Sequence, residues 1–151
     1  MKSLITTTIL LMFTISTQVV AQHTPIFPKG EKAPNVHHTG DVWLYHLSNA
    51  DSTFNYNIAV ATFSAGAKLD WHFHPAGQQL LIIQGTGYYQ ERGKPLQVVN
   101  KGDKIKCLPN VEHWHAATPV DGVTYLAITG NKKTKWLEPI SSEMYKSLKE
   151  N

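Results

Sequence analysis

Two histidines spaced two residues apart, His72 and His74, lie in an apolar stretch bounded by glycines, GAKLDWHFHPAGQQLLIIQG (66–85). On a β-strand this spacing points both imidazole rings to one side of the strand, while Phe73 points to the other side. The spacing therefore predicts a strand that supplies a pair of metal ligands. Further ligands must then come from other parts of the chain.

Two such ligands occur further along the sequence. Gln78 is the first residue able to offer an oxygen after the turn predicted at Pro75-Ala76-Gly77. A third imidazole is available in LPNVEHWH, at His113. Three neutral nitrogens and one oxygen held on strands form a divalent-metal site with open positions, which metal catalysis requires. The predicted metal ligands are His72, His74, Gln78 and His113.

Short runs of β-branched and aromatic residues alternate with turn residues from Asp41 onward, a pattern typical of strands. We predict strands at 42–47, 54–63, 69–73, 79–84, 87–92, 96–99, 104–107, 113–117 and 123–129. Gly85-Thr86-Gly87 and two later Gly-containing segments are predicted as breaks between strands. A short helix is predicted after Ser141, which can cap it. Many short strands without βαβ alternation indicate a sandwich or barrel.

The first 21 residues are predicted to be a cleaved secretory signal. Met1-Lys2 gives a positive start, Leu4–Val20 is apolar, and Val19-Val20-Ala21 offers small residues at a cleavage site. An uncleaved anchor helix is the alternative, although the apolar stretch is marginal for a bilayer. We therefore expect the mature protein to be periplasmic or secreted.

The segment 22–40 is rich in Pro, Lys and His and has no periodicity, which predicts an N-terminal arm or loop. Histidines in such a segment are more often solvated than metal-bound, and this expectation covers His23, His37 and His38. A single barrel domain is expected at 41–140, and a helix or tail at 141–151.

Charge and cysteine content restrict the partners. The chain has 14 Lys+Arg, 11 Asp+Glu and a formal net charge of +3, with no basic run longer than Lys132-Lys133. This weak positive balance argues against nucleic acid or a membrane surface as the partner. The lone Cys107 cannot form an internal disulfide, and its alternation with Ile105 predicts a buried side chain. A homodimer or higher homo-oligomer is expected, because sheet edges or faces would otherwise be exposed.

The two ligand-bearing stretches resemble the two sequence motifs of the cupin superfamily. The first motif corresponds to Gly66, His72-x-His74, Gln78 and Gly85, and the second to Gly102-Asp103 followed by 108–113, with Asn110 where a glycine is usual. WHFHPAGQQLLIIQGTGYYQERGKP and LPNVEHWHAATP further resemble small cupins related to manganese-dependent hydroxynitrile lyases and to carboxymuconolactone-decarboxylase-associated cupins. The resemblance implies an all-β, single-domain cupin barrel, a double-stranded β-helix or jelly roll, with a short C-terminal helix.

The same resemblance implies a metal-dependent lyase that activates a small oxygenated substrate. It favours Mn2+ as the metal and Fe2+ next, with Zn2+ or Ni2+ as alternatives. Most cupins have a glutamate where Gln78 stands, whereas the hydroxynitrile lyases share the glutamine. Neutral ligands leave the metal its full charge in a low-dielectric barrel, which favours an anionic or ionisable small-molecule substrate.

His115 and Tyr125 are the candidates for acid–base chemistry. His115 shares the face of His113, and Tyr125 stands where the resembling lyases have a histidine. A tyrosine is a poorer base near neutral pH, and both side chains could instead simply fill a polar interior. By resemblance, the substrate pocket is lined by residues of two strands, namely Asn57, Ala59, Ala61 and Thr129.

Three other functions stay open at this point. A cupin can open or tautomerise unsaturated uronates, which export would fit, although the sequence has no Arg-rich carboxylate clamp. A non-catalytic metal-binding or ligand-binding cupin is the second alternative. A dioxygenase that consumes oxygen with iron is the third, because one barrel hosts many chemistries.

Overall fold

Residues 24–148 are described in the computed structural model, and they form twelve β-strands and one short α-helix. The strands are β1 (Glu31–Lys32), β2 (His38–Thr39), β3 (Val42–Ser48), β4 (Tyr56–Phe63), β5 (Lys68–Leu69), β6 (His72–Phe73), β7 (Gln78–Glu91), β8 (Gln97–Asn100), β9 (Lys104–Cys107), β10 (His113–Ala117), β11 (Val123–Gly130) and β12 (Lys135–Trp136), and the helix is α1 (Ser142–Ser147). The predicted signal, His23 and residues 149–151 lie outside this range. Within residues 24–148, no helix has the length and apolar character needed to cross a membrane.

The strands form two curled antiparallel sheets that share β7. Its first half pairs with β11 and β9 in the first sheet, and its second half pairs with β10 and β8 in the second. The main strand order is β1-β3-β4-β11-β7-β10-β5-β2, and β6 pairs with both β10 and β12. The prediction of an all-β barrel with one short C-terminal helix is thereby confirmed.

The break predicted at Gly85-Thr86-Gly87 is wrong, because β7 runs through it without interruption over 14 residues. Gly85 has a φ of +74°, and the register against β11 shifts between Thr124 and Tyr125. A Cβ atom on Gly85 would lie 1.8 Å from the carbonyl oxygen of Gly122. The glycine therefore forms a bulge at which one strand passes from the first sheet to the second.

Two other predicted segments also differ from the structure. The strand predicted at 69–73 is divided into β5 and β6, because the backbone N–H groups of Asp70 and Trp71 donate to the carbonyl oxygens of His37 and Glu138 instead of continuing the ladder. The segment 22–40, predicted as an arm or loop, contributes β1 to the edge of the first sheet and β2 to the edge of the second. The N-terminal segment is therefore part of the sheets.

Buried apolar side chains form one cluster inside the barrel and a second on the outer face of the second sheet. The inner cluster includes Phe63, Leu80, Cys107 and Tyr125, so the prediction of a buried Cys107 is confirmed. The outer cluster packs beneath α1 around Trp114, which is fully buried; Trp114 alternates with His113 and His115 along β10, so its ring points out of the barrel. The inner cluster shares the barrel interior with the buried histidines His72, His74, His113 and His115.

Candidate metal centre

Three buried histidines converge inside the barrel. His72 lies on β6, His74 directly follows that strand, and His113 begins β10 as the register partner of His72. Their exposed fractions are 1%, 5% and 0%, and their candidate ligand nitrogens all lie within 4.8 Å of one another. The structure therefore brings together the three imidazoles that the sequence predicted as metal ligands.

The outer nitrogen of each ring is held by an oxygen atom. His72 Nδ1 lies 2.8 Å from the Asp70 carbonyl oxygen, and His113 Nδ1 lies 2.8 Å from the Val111 carbonyl oxygen. A carbonyl can only accept, so Nδ1 of both rings carries the hydrogen and Nε2 keeps its lone pair. His74 Nδ1 similarly lies 3.2 Å from Thr134 Oγ1.

The inner nitrogens are the strongest sign of a metal. Among residues 24–148, no hydrogen-bond partner exists for the buried Nε2 atoms of His74 and His113. Buried polar atoms are normally satisfied, and metal-bound histidines typically use their second nitrogen to bind a carbonyl or carboxylate. The donor set, its burial and the tautomers therefore fit a divalent transition metal.

Gln78 lies at the start of β7, between Thr129 of β11 and Cys107 of β9. Its Nε2 donates to Thr129 Oγ1 at 2.9 Å, and the Cys107 thiol lies 3.9 Å from its Oε1. The amide is near enough to His74 to offset part of the pKa depression that burial imposes on that ring. Burial raises the pKa of Cys107 to about 12, so a neutral thiol faces the amide near neutral pH.

The loops that carry the ligands are joined by a single carbonyl group. The His74 oxygen accepts from the backbone N–H of Gly77 at 3.0 Å and from that of Asn110 at 3.1 Å. Asn110 has a φ of +63°, a left-handed conformation that asparagine tolerates better than most residues. Asparagine can therefore replace the glycine that is usual at this position of the second motif.

Burial lowers the pKa of each histidine in the cluster. Desolvation is the largest cause of the lowered pKa in all four histidines of this region, His72, His74, His113 and His115. Charge on neighbouring imidazoles lowers the pKa further at His72, His74 and His115. The pKa of His74 falls to about 4. The ligands are thus neutral near pH 7, the form that binds metal.

We predict that the metal-free protein loses stability as the pH falls from about 6.5 toward 4. Unfolded histidines bind protons near pH 6.5, whereas the folded rings resist protonation, so the unfolded state holds more protons in this window. His74 alone contributes about 3 kcal/mol to this loss at the acid end. Urea unfolding of chelator-treated protein between pH 4 and 8 measures the effect. A flat profile between pH 6.5 and 4 would contradict it.

His115 lies behind the ligand cluster. Its ring centroid is 5.4 Å from that of His72 and 6.3 Å from that of His113, and its exposed fraction is 4%. Within the described range, its Nδ1 has no hydrogen-bond partner. His115 therefore carries a free nitrogen and is itself close to the cluster.

Tyr125 lies next to His115 but is bound elsewhere. Its ring centroid is 5.0 Å from that of His115, and its hydroxyl donates to the Ala116 carbonyl oxygen at 2.9 Å. The side chain is fully buried, and burial raises the pKa of the phenol. A hydroxyl that already donates to the backbone, with a raised pKa, is a poor proton acceptor near neutral pH.

The predicted pocket residues occupy neighbouring rows of the first sheet. Asn57, Thr129 and Gln78 are register partners across β4, β11 and β7, and Ala59 lies in the next row opposite Ala127. Ala61 packs into the inner apolar cluster. The Asn57 Oδ1 accepts from the backbone N–H of Ala50 at 3.0 Å, which ties the β3–β4 loop to this row. A cavity of about 430 Å³ opens beside Gln78 and Cys107, but neither the four predicted pocket residues nor the three histidines line it.

Sequence reasoning missed Glu91, a carboxylate near the centre. Glu91 is the register partner of His113, is 9% exposed and accepts from the Tyr89 hydroxyl at 3.2 Å, so a carboxylate does lie near the cluster. Glu91 also forms an ion pair with Lys94, whose side chain is exposed.

His37 and His38 of the arm lie outside the ligand cluster, and His37 is exposed, but both make defined contacts. His37 stacks on Trp136 with ring centroids 4.7 Å apart, and Trp136 in turn lies 4.8 Å from the ring of His72. Both ring nitrogens of His38 face carbonyl oxygens, those of Gly40 and Pro34, at 3.1 and 2.8 Å. These contacts fix the arm against the strand that carries the ligands.

Comparison with known proteins adds to this geometry. No family model matches the chain. The chain is 34% identical over 118 residues to an (R)-mandelonitrile lyase from Granulicella tundricola. The aligned region covers 76% of this chain and 90% of that protein. It is also similar to the crystal structure of a cupin-like protein from Thermotoga maritima, with a TM-score of 0.79, 36% identity and coverage of 84% and 98%. A predicted oxalate decarboxylase from Thermotoga maritima, at 20% identity, a TM-score of 0.59 and coverage of 71% and 91%, shares the fold alone.

Proposed function

The chain belongs to the cupin superfamily, and we propose that within it this protein is a metal-dependent lyase of the hydroxynitrile-lyase type. The observation that supports this most strongly is the trio of buried histidines whose inner nitrogens face one another. The relative that is 34% identical is an (R)-mandelonitrile lyase, and it supports a cyanohydrin as the substrate. In such a cleavage the bond between the carbinol and nitrile carbons breaks, its electron pair leaves with cyanide, and the hydroxyl carbon becomes a carbonyl.

The residues that would hold the metal are His72, His74, His113 and Gln78. When bound there, a divalent ion supplies Lewis acidity to a substrate oxygen. We propose manganese or iron for this position, with zinc or nickel as alternatives, because a nitrogen-rich set accepts all of them. Elemental analysis of protein purified without added metal distinguishes them.

We assign proton transfer to His115 in preference to Tyr125. The proton that leaves the substrate hydroxyl needs an acceptor, and the cyanide that departs needs a proton. His115 has an unpartnered Nδ1 beside the cluster, whereas the Tyr125 hydroxyl donates to Ala116. A neutral imidazole can take the first proton and return it to the leaving group.

Purified protein loaded with Mn2+ is expected to release benzaldehyde and cyanide from mandelonitrile above the background rate. Absorbance of benzaldehyde and a cyanide electrode measure the two products independently. The His115→Gln variant is expected to keep its metal and lose most of the turnover, because it removes the proton acceptor and leaves the three ligands in place. Absence of turnover in the metal-loaded wild type would contradict the proposed reaction.

A non-catalytic metal-binding or ligand-binding cupin is the second candidate. The hydroxyl of Tyr125 favours this candidate because it already donates to the Ala116 carbonyl oxygen. The position that carries a histidine in the resembling lyases therefore offers no free acid–base group here. Thermal stabilisation by metal together with a small anion, without turnover of mandelonitrile, would support this candidate over the lyase.

We also propose that the mature protein is exported and forms a homodimer. The apolar start of the sequence supports export, and half-buried Ile58, Leu126 and Ile128 on the outer face of the first sheet support self-association. Mass spectrometry of the mature N-terminus tests the first part. Light scattering after gel filtration tests the second, and a monomer at micromolar concentration would contradict it.

A further inference from the structure

We propose that Thr129 is a positioning residue that holds the Gln78 amide with its oxygen, not its NH2 group, toward the three histidines. The inference rests on the metal centre proposed above and assigns to Thr129 a role different from lining a substrate pocket. It concerns the orientation of one side chain, which decides whether Gln78 can act as a ligand at all.

The geometry gives Gln78 two different neighbours. Thr129 and Cys107 are its register partners on the two flanking strands, so their side chains stand on either side of the amide. Gln78 Nε2 donates to Thr129 Oγ1 at 2.9 Å, and Oε1 faces the Cys107 thiol at 3.9 Å. The donor and acceptor ends of the amide are therefore each matched by a neighbouring strand.

The chemistry makes one of the two amide orientations useless for metal binding. An amide nitrogen offers two hydrogens and no lone pair to a cation, whereas the carbonyl oxygen offers lone pairs. Turning the amide over would also direct its NH2 group at a thiol, which is a weak acceptor. The Thr129 hydroxyl can accept or donate, so the orientation is favoured by the two neighbours together: Thr129 accepts from Nε2 and the Cys107 thiol donates to Oε1, whose second lone pair remains for the metal.

Removal of this acceptor is expected to weaken metal binding without removing a ligand. In Thr129→Val the Gln78 NH2 group loses its partner, and the amide of the metal-free protein can turn toward other groups. Metal binding must then pull the amide back into place. Loss of such an outer contact typically reduces metal affinity about 10- to 100-fold.

The experiment titrates metal-free protein with Mn2+ by calorimetry. Thr129→Val is expected to bind Mn2+ at least about 10-fold more weakly than the wild type, and Thr129→Ser, which keeps the hydroxyl, is expected to restore the affinity. The matched control is Thr124→Val on the outer face of the same strand, where the hydroxyl contacts Thr62 at 3.4 Å. The control is expected to bind Mn2+ as the wild type does.

A double-mutant cycle separates positioning from a general loss of packing. In a Gln78→Ala background the amide is absent, so Thr129→Val is expected to cause no further change in Mn2+ affinity. The EPR spectrum of bound Mn2+ is expected to change in Thr129→Val in the same direction as in Gln78→Ala. Equal affinity of Thr129→Val and the wild type, or additive effects in the cycle, would overturn the inference.

Failure of the inference and failure of the proposed function have different outcomes. If the wild type binds no Mn2+, Fe2+, Zn2+ or Ni2+, the metal centre itself is refuted. If the wild type binds metal and Thr129→Val binds it equally tightly, the centre stands and only the role of Thr129 is refuted. None of these measurements depends on turnover.

Discussion

Replacing His113 by alanine is expected to abolish stable metal binding and turnover together. His113 is fully buried, is the register partner of His72, and presents an inner nitrogen that has no partner among residues 24–148. Its removal leaves two imidazoles and one amide, which is too few protein ligands for a tightly held transition metal. Loss of a contact outside the ligand set typically reduces metal affinity up to about 100-fold, and we expect the metal affinity of His113→Ala to fall by more than this.

Elemental analysis after gel filtration measures the metal that remains bound. The wild type is expected to retain close to one ion per chain and His113→Ala almost none. The control is His38→Ala, which removes an imidazole that binds carbonyl oxygens of the arm rather than the centre. Circular dichroism of both metal-free variants checks that the barrel is folded. Full occupancy in a folded His113→Ala protein would refute the assigned ligand set.

Gly87→Ala is expected to destabilise the barrel by about 3 kcal/mol. A Cβ atom at this position would lie 2.6 Å from the Ala116 carbonyl oxygen and 2.7 Å from the Tyr125 hydroxyl. These are the two atoms of the buried hydrogen bond beside His115. The glycine is required because a phenol and a backbone carbonyl occupy the space of its side chain, so alanine must displace a sheet or break the bond.

Urea unfolding of the metal-free variants measures this cost. Gly93→Ala is the informative comparison, because its Cβ would meet no atom within 4 Å while its φ of +76° still disfavours alanine. The loss there is expected to be about 1 kcal/mol, from backbone strain alone. Adding Tyr125→Phe to Gly87→Ala is expected to recover part of the loss, since it removes one of the two clashing atoms. A Gly87→Ala protein as stable as Gly93→Ala would contradict the steric explanation.

The ligand set was the part most accessible from sequence. The spacing of His72 and His74 fits a strand, and the alternation of Cys107 with Ile105 indicated a buried thiol, as observed. Side-chain parity depends only on local geometry, so it can be inferred without knowing which strands pair. Asn110 was matched to a usual glycine only through the resemblance to the second cupin motif.

The contacts that orient the ligands could not be inferred in this way. Asp70 and Val111 act through carbonyl groups that every residue possesses, and Thr134 reaches His74 from 60 positions away. Asp70 and Val111 lie two residues before the rings they contact, but a backbone carbonyl leaves no mark in the sequence; the Thr134 contact exists only because the fold brings distant segments together. The two edge strands of the arm escaped prediction for a similar reason, because two-residue strands show no alternation.

The predicted break at Gly85-Thr86-Gly87 failed because packing around β7 decided the outcome. Gly-Thr-Gly is a strong local signal for a hairpin, yet the carbonyl of Gly122 fills the space beside Gly85 and the strand continues through a bulge. Tertiary packing therefore overrides the turn preference at this position. The same glycines that suggested an end of the strand allow it to serve both sheets.

A strand that belongs to two sheets also couples their fluctuations. Opening either half of the barrel must expose amide protons of β7, and the other half resists because it holds the remaining part of the same strand. Isotope exchange at the centre of β7 should then require near-complete unfolding, while the short edge strands exchange through local fraying. An ion bound between the sheets would slow isotope exchange at the centre of β7 and leave exchange in the edge strands almost unchanged.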